Sequence, residues 1–383
     1  MKRVKTKILV VELEPTHYKV DLWNAAVASG KAEVSVVYAE RKNWSPDGGH
    51  DYQRFPPARF EFNTYDGRGW LGTLRSALGI FRAARQIQPH MTYVAGYVHV
   101  QTIATIVHSV LARRPFVVHA DIFNNNRPSG RFAGLRLVAR ETLRSLVFRN
   151  ASAVLVCGLR GRQTAIQAGC PPLKVRDFPY SISLERILAD QPADLPSLCE
   201  EDLRASRVII FFSGRMIARK GLSVLLRASA KLASASNWVL WIEGDGPEFD
   251  AFQNDAQALG LTPHRCRFLG FCQYDLHSWL VRSSDIVVVP SLEDSWGIVV
   301  DEGLQLGKAV VSTDATGSAV DRIVDGENGF IVPSGDVASL IQRLDQLLDD
   351  PMLRVFLGRH ARSCRKNIRP MDNVATLAKI IER

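Results

Sequence analysis

No apolar run in this chain approaches the roughly 20 residues that a membrane-spanning helix needs. The best candidate, Thr102 to Ala112, contains His108 and stops at Arg113 and Arg114. The amino-terminal MKRVKTK leads into a brief ILVV, with neither a long apolar stretch nor a small-residue cleavage site, so the expected location is cytoplasmic. Cysteine is sparse and scattered. Cys157, Cys170, Cys199, Cys266, Cys272 and Cys364 form no CxxC pair and have no histidine cluster beside them, which argues against a disulfide framework or a zinc site and for reduced thiols. Zinc-finger, RNP and helix-turn-helix signatures are missing, so nucleic acid is not the expected partner. There is no internal repeat and no low-complexity tract.

What is present is an ordinary soluble composition, 46% hydrophobic and 23% charged, spread over 383 residues. That length exceeds what one core usually serves, so two domains are expected. Charge is uneven along them. Residues 1–185 hold 26 Lys+Arg against 13 Asp+Glu, net +13, and the remainder holds 22 against 26, net −4. The basic half suits an anionic partner. A membrane surface or an anionic lipid-linked substrate fits this better than nucleic acid does.

Strand-like and helix-like stretches alternate throughout: ILVV at 8–11, a helix from Asp21 to Ser29, VSVVYA, MTYVAGY, PFVVHA and ASAVLVC. The pattern fades in ADQPADLPSLCEEDLRAS, then restarts with VIIFFSGR at 208–215, WVLWIEGDGP, RFLGF, IVVVP, AVVST and GFIV. The order predicts parallel sheets wrapped by helices. The expected divisions are a first domain at 1–185, a linker at 186–206, a second domain at 207–366 and a final helix within 367–383 that crosses back to the first domain.

The richest segment is PSLEDSWGIVVDEGLQLGKAVV, from Pro290 to Val311. A short β-branched run, Ile286 to Val289, turns through Pro290 and Ser291 into a helix expected beyond Gly297, whose N-terminus would favour phosphate. Asp294 and Glu302 stand eight residues apart, about two helical turns, a spacing that lets both carboxylates face one cleft. The plain alternative stays open: Glu293 and Asp294 as helix caps and Glu302 as a surface charge. FFSGRMIARKGL places Arg215 and Lys220 at the start of another helix, either a diphosphate clamp or a basic surface. EGDGP, at 243–247, reads most simply as a strand-to-helix turn.

Taken in order, GRMIARKG, GDGPE, FLGF, SSDIVVVPS, EDSWGIVVDEG and DGENGFIVPSGD resemble the donor-binding half of glycosyltransferase family 4. These are retaining enzymes of the GT-B fold, an α/β architecture of two Rossmann-like domains facing across a deep cleft. The resemblance runs from Phe211 to Asp336. It implies that Arg215 and Lys220 bind the diphosphate of a UDP- or GDP-linked sugar and stabilise the leaving charge, and that Glu302 holds the ribose hydroxyls. It further implies that the backbone of Ser295, Trp296, Gly297 and Ile298 approaches the phosphates and sugar, and that the acidic position eight residues before Glu302 contacts the sugar. The family has Glu there and this chain has Asp294, shorter by one methylene, roughly 1.5 Å of reach; Glu293 is the neighbouring candidate. No DxD occurs, in keeping with metal-independent GT-B chemistry, and no cofactor is expected.

The first half departs further from the family. A glycine-rich loop is usual after the first strand, but VELEPTHYKVDLWNAA stands here, with His17 and Tyr18 in its place. His119, at the end of PFVVHA, resembles a family histidine near the reacting sugar; a structural histidine at a strand end is the other reading. Two basic stretches could meet a membrane: Arg136, Arg140 and Arg144 beside Leu135, Val138, Leu143 and Leu146, and Arg68, Arg75, Arg82 and Arg85 with Trp70 and Phe81. Ordinary solvated helix faces are the alternative. The reading is therefore a peripherally membrane-associated, retaining hexosyltransferase acting on a hydroxyl of a glycan or lipid-linked saccharide in polysaccharide or surface glycoconjugate synthesis. Its rivals are a catalytically degenerate partner subunit and a GT-B sugar-nucleotide epimerase.

Overall fold

The computed structural model describes residues 5–13, 15–39, 58–64, 69–123, 130–189, 192–233, 237–363 and 369–382. The chain forms two compact units. The first holds the described residues up to Ser181 together with the carboxyl-terminal helix, and the second begins at Ile182.

In the first unit seven strands lie side by side: β1 (Thr6–Glu12), β2 (Ala32–Tyr38), β3 (Glu61–Thr64), β4 (Met91–Ala95), β5 (Phe116–His119), β6 (Ala153–Val156) and β7 (Val175–Asp177). All pairings are parallel, in the order β3-β2-β1-β4-β5-β6-β7. The second unit holds β8 (Val208–Ser213), β9 (Trp238–Glu243), β10 (Cys266–Gly270), β11 (Ile286–Val289), β12 (Ala309–Thr313) and β13 (Phe330–Val332). Their order is β10-β9-β8-β11-β12-β13, again parallel. Both are doubly wound Rossmann-like α/β units.

The central strands are largely apolar on both sides because both of their faces are covered. The strand β11 shows no apolar–polar alternation: it reads IVVV, with all four residues buried. Ile286 and Val288 join one apolar layer, Val287 and Val289 the other. Strand order reverses between β1 and β4 in the first sheet and between β8 and β11 in the second. Loops leaving the carboxyl ends of such neighbours diverge and leave a crevice, where ligands of open α/β sheets bind.

The described residues of the segment expected as a linker belong to the second unit. Helices span Leu184–Ala189 and Ser197–Arg204, and Ile187 and Cys199 are buried in the core beside β8, β9 and β11. Asp202 is 1% exposed. It bonds Arg267 at 2.9 Å and accepts from the Trp241 indole at 2.9 Å. Pro, Asp and Ala dilute the apolar signal here, and a buried ion pair carries the docking.

The long helical stretch expected over 336–366 is two helices, Val337–Asp349 and Pro351–Ser363, because Pro351 cannot continue the preceding hydrogen-bond ladder. The last helix, Pro370–Ile381, returns to the first unit. Its Val374 and Leu377 join the core around Trp23 and Val20, and the Asn373 amide donates to the Pro179 carbonyl at 2.7 Å. Cys157, Cys170, Cys199, Cys266 and Cys272 are free and buried; Cys364 lies outside the described residues. Among the described residues no helix is long and apolar enough to cross a membrane.

Candidate functional site

Three loops of the second unit are stitched together at the carboxyl edge of its sheet. The loop after β8 carries Arg215 and the short turn Ala218–Lys220. In that turn the Arg219 carbonyl accepts from the amides of Leu292 and Glu293 at 2.8 and 3.3 Å, and its guanidinium donates to the Glu293 carbonyl at 3.2 Å. The β9 loop joins from the other side: Met216 N–H donates to Asp245 O at 2.9 Å, and Ala218 N–H to the Glu248 carboxylate at 2.9 Å. Gly221 makes the closure possible. Its φ is +72°, and a Cβ there would stand 1.9 Å from the Pro290 carbonyl oxygen, so any side chain would push the β8 and β11 loops apart.

This stitching brings two expected site residues into contact. Lys220 Nζ lies 2.6 Å from Asp294 Oδ2, with side-chain exposures of 21% and 8%. Arg215, five residues earlier in the same loop, is half-buried. Asp294 is further held through its backbone, its N–H donating to Ala315 O and its carbonyl accepting from Gly317 N–H, both at 3.1 Å. Glu293 is exposed, whereas Asp294 is buried. The shorter side chain therefore has a fixed location and a cation beside it.

The helix Ile298–Leu306 begins at Gly297, whose φ of +83° is left-handed. A Cβ at this position would meet Thr316 Cγ2 at 2.5 Å. Asp294 precedes the helix and this left-handed break, so the expected two-turn helical spacing between Asp294 and Glu302 does not hold, and the two carboxylates engage different partners. The first N–H groups of the helix lack intrahelical acceptors, the ordinary basis for anion binding. Trp296 contributes no exposed ring. It is 2% exposed, and its indole donates to Asp301 Oδ2 at 2.8 Å. Asp301 also accepts from Arg322 Nε at 3.0 Å, and that guanidinium lies 5.2 Å from the Trp296 ring centroid. Burial pushes the Asp301 carboxyl up to about 6, against the pull of Arg322 and the hydrogen bond from Trp296. The Ser318 hydroxyl, bonded to the carbonyls of Trp296 and Gly297 at 2.6 and 2.8 Å, fixes the same turn.

Glu302 is 1% exposed. Its Oε1 accepts from Tyr274 Oη at 3.0 Å and its Oε2 from His277 Nε2 at 2.9 Å. The other ring nitrogen of His277 meets Glu243 Oε2 at 2.6 Å. Glu243 ends β9, and Tyr274 and His277 lie on the helix Tyr274–Ser283. Sequence reasoning missed this chain of contacts. The pair Tyr274 and His277, three apart, shares one helix face, but nothing in the sequence marks which carboxylates that face meets.

In the first unit His119 ends β5 and is 6% exposed. Its Nδ1 is 2.5 Å from Tyr93 Oη and its Nε2 is 3.5 Å from Cys157 Sγ. Tyr180 Oη donates to Asp121 at 2.5 Å. Burial lowers the imidazole to about 4, with Asp121 opposing the shift, so the ring is neutral near pH 7. His119, Asp121 and Cys157 offer ligand atoms within 4.8 Å of one another, a set able to take a cation. Glu12, at the end of β1 and 0% exposed, accepts from the Trp23 indole at 3.3 Å and lies 3.6 Å from Lys19 Nζ; it too escaped the sequence reading.

The two basic stretches differ in the structure. On the helix Gly69–Ile87, Leu71, Leu74, Arg75, Leu78, Arg82 and Arg85 are all exposed, at spacings that share one face, with no acidic residue on the helix. Arg68 lies outside the described residues, as does the Trp70 side chain. On the helix Ala133–Asn150 the regular arginine stripe fails. Arg144 is 3% exposed and ion-paired to Glu141 at 3.1 Å, because the helix turns that side toward Val147 and Phe148.

Residues 200–369 match the family model described as Glycosyl transferases group 1. Over 247 residues the chain is 27% identical to the alpha-D-kanosaminyltransferase of Streptomyces kanamyceticus, covering 64% of this chain and 63% of that protein. It is 32% identical over 177 residues to the lipopolysaccharide core biosynthesis glycosyltransferase LpsE of Rhizobium meliloti, 46% of each. The matched stretches thus span less than two thirds of these relatives. Among solved structures, Anabaena HepE in complex with UDP and glucose superposes with a TM-score of 0.76 at 19% identity, over 98% of this chain and 99% of that one. At that identity the likeness is one of fold, and the fold is that of GT-B glycosyltransferases.

Proposed function

We propose that the chain is a retaining glycosyltransferase that moves a hexose from a UDP- or GDP-linked donor to a hydroxyl of a glycan or lipid-linked saccharide. The observation that carries this reading is the Lys220–Asp294 pair at 2.6 Å, with Lys220 in the loop that also carries Arg215 at the strand-order reversal of the second sheet. A diphosphate would take the amine of Lys220 and the guanidinium of Arg215, with the N-terminus of helix Ile298–Leu306 adding partial positive charge. These are the groups that stabilise charge developing on a leaving nucleotide, and their position before reaction costs no reorganisation. Asp294 would then accept from a sugar hydroxyl, and Glu302 from the ribose. The family model and the glycosyltransferases among the relatives support the same activity.

Departure of the diphosphate leaves an oxocarbenium-like sugar. Retention would follow from attack on the face the phosphate vacates, the leaving phosphate oxygen accepting the acceptor's proton. The chain's cations take over the charge that a metal bridge would otherwise meet, so transfer is read as metal-independent. Acceptor recognition falls to the first unit, where neutral His119 serves to orient rather than to remove a proton. The leucine and arginine face of helix Gly69–Ile87 fits an anionic lipid surface, apolar side chains entering the interface and arginines meeting headgroups; binding to zwitterionic and anionic vesicles that does not differ would remove that part.

The test is a panel of nucleotide sugars incubated with the protein alone. Slow release of nucleoside diphosphate from one donor is the expected outcome, and no binding of UDP, GDP or their sugars by calorimetry would end the reading.

A further inference from the structure

Glu302 is not a lone carboxylate but the end of a buried chain, Glu243 to His277 to Glu302, with Tyr274 on its second oxygen. Carboxylate oxygens accept hydrogen bonds, so the two contacts of His277, at 2.6 and 2.9 Å, require both ring nitrogens to donate. Imidazole does that as imidazolium. Burial disfavours the charge, but Glu243 and Glu302 on either side outweigh it and hold the ring protonated well above the usual histidine range. The ring is also confined sideways by Tyr274, 5.4 Å away, and Phe211, 6.1 Å away. Arg186 stacks over the Tyr274 ring at 3.9 Å, fixing the second donor.

Tyr274 and His277 each engage one oxygen of the Glu302 carboxylate. What the two partners remove is rotation. We infer that His277 is a positioning residue for nucleotide selection, clamping the Glu302 carboxylate so that it discriminates a ribose from a 2′-deoxyribose. The inference rests on the reading of Glu302 as the ribose contact. A site built to accept from a hydroxyl rejects a ligand lacking it, since a buried acceptor is left unmet. That rejection depends on the acceptor being unable to turn aside, and Glu243, at the end of β9, anchors the far side of the clamp to the sheet.

The experiment compares UDP with 2′-deoxy-UDP by calorimetry on the full chain, or GDP with 2′-deoxy-GDP if UDP does not bind. The wild-type protein is expected to prefer the ribonucleotide by about tenfold or more, the range for a hydrogen bond to a charged group. His277→Asn should bring the ratio close to 1, mainly by weakening the ribonucleotide, with kcat less affected than KM for the donor. Equal weakening of both ligands would mean that His277 only supports the fold, and would overturn the inference. Glu302→Gln separates the two claims. If it leaves the preference intact, or if the wild type has none, the ribose reading of Glu302 fails. If it abolishes the preference while His277→Asn preserves it, the clamp alone fails. Should His277→Asn not fold, nitrogen NMR of the wild-type histidines decides: the doubly protonated ring must shift more with UDP than with 2′-deoxy-UDP, and equal shifts would refute the assignment.

Discussion

Each unit buries one histidine near the carboxyl edge of its sheet, and the two hold opposite charge states. His119 in the first unit meets a tyrosine hydroxyl and a thiol, burial outweighs the opposing charge of Asp121, and the ring is driven down to about 4. His277 in the second meets two carboxylates and is driven up. Burial is alike; the partners differ. The contrast extends to the neighbourhoods. The second unit's edge is built from closely apposed backbone loops carrying Arg215, Lys220 and Asp294, suited to an anionic ligand of fixed shape. The first unit's edge is filled by Tyr93, Tyr180, Cys157 and Phe178 around a neutral imidazole, suited to shape and hydroxyl recognition.

The largest effect should come from removing the charge that defines the second edge. Lys220→Ala is expected to lower kcat/KM by roughly 10²–10³, the magnitude found when one preorganised donor to a developing negative charge is lost. Steady-state kinetics with melting curves would check it; a loss below tenfold in a folded variant would show that the diphosphate is held elsewhere. Next is the pair of neighbouring acids. Asp294→Ala should cost about 10–100-fold, as for a hydrogen bond to a charged group, and Glu293→Ala under about threefold, because Asp294 is buried against Lys220 and Glu293 is exposed. The reverse ranking would shift the sugar contact by one residue.

Much of the second unit was legible in the sequence because its site is made by backbone closure. Gly221 and Gly297 are required at those positions by close approach or left-handed φ, and short cationic and acidic motifs flank them at fixed spacing. Most strands were legible for a related reason, as short apolar runs covered on both faces; the edge strands β3, EFNT, and β7, VRD, carry no such run and were not read from the sequence. What stayed hidden was long-range polar pairing. Asp202 with Arg267, Glu12 with Lys19, and Glu243 with His277 join residues 65, 7 and 34 positions apart, and each reads locally as an ordinary surface charge. The Trp296 backbone stands at the helix start, as its motif implies, while the ring itself turns inward to Asp301, a direction no periodicity specifies.

A smaller, sharper measurement addresses the histidines themselves. His119 is lowered to about 4 from an unfolded value near 6.5, so its contribution to stability is present above pH 6.5 and is lost as pH falls toward 4. Between pH 7.5 and pH 5 that loss is about 2 kcal/mol. His277 runs the other way: raised when folded, its contribution is complete below pH 6.5 and is lost only as pH climbs through its elevated value. Asp301, pushed up to about 6, also opposes His119 over the acid range, so the observable is a difference. Urea unfolding of wild type and His119→Gln at pH 5 and 7.5 should show the variant losing about 2 kcal/mol less on acidification. Equal losses would mean that burial and the nearby charge of Lys19 do not keep the ring neutral against the pull of Asp121.

The last effect expected is none at all, and it bears on the same edge. His119, Asp121 and Cys157 converge closely enough to bind a cation, yet burial pushes the Cys157 thiol well above its usual range, and a thiol must lose its proton to become a metal ligand. Lys19 adds positive charge nearby, enough to disfavour a protonated His119. The cluster is therefore better suited to passing hydrogen bonds from Tyr93 through His119 to Cys157 than to holding a metal. Turnover measured after dialysis against EDTA, and again with added Zn²⁺, Mg²⁺ or Mn²⁺, should stay within about twofold of the untreated protein. A loss restored by one of these ions would make the first edge a metal centre, and Cys157→Ser would then decide whether the thiolate belongs to it. If activity is unchanged, the contrast between the units stands as one of protein groups alone: an imidazole held protonated between two carboxylates on the second sheet, and one kept neutral by burial, with Lys19 opposing its protonation, on the first.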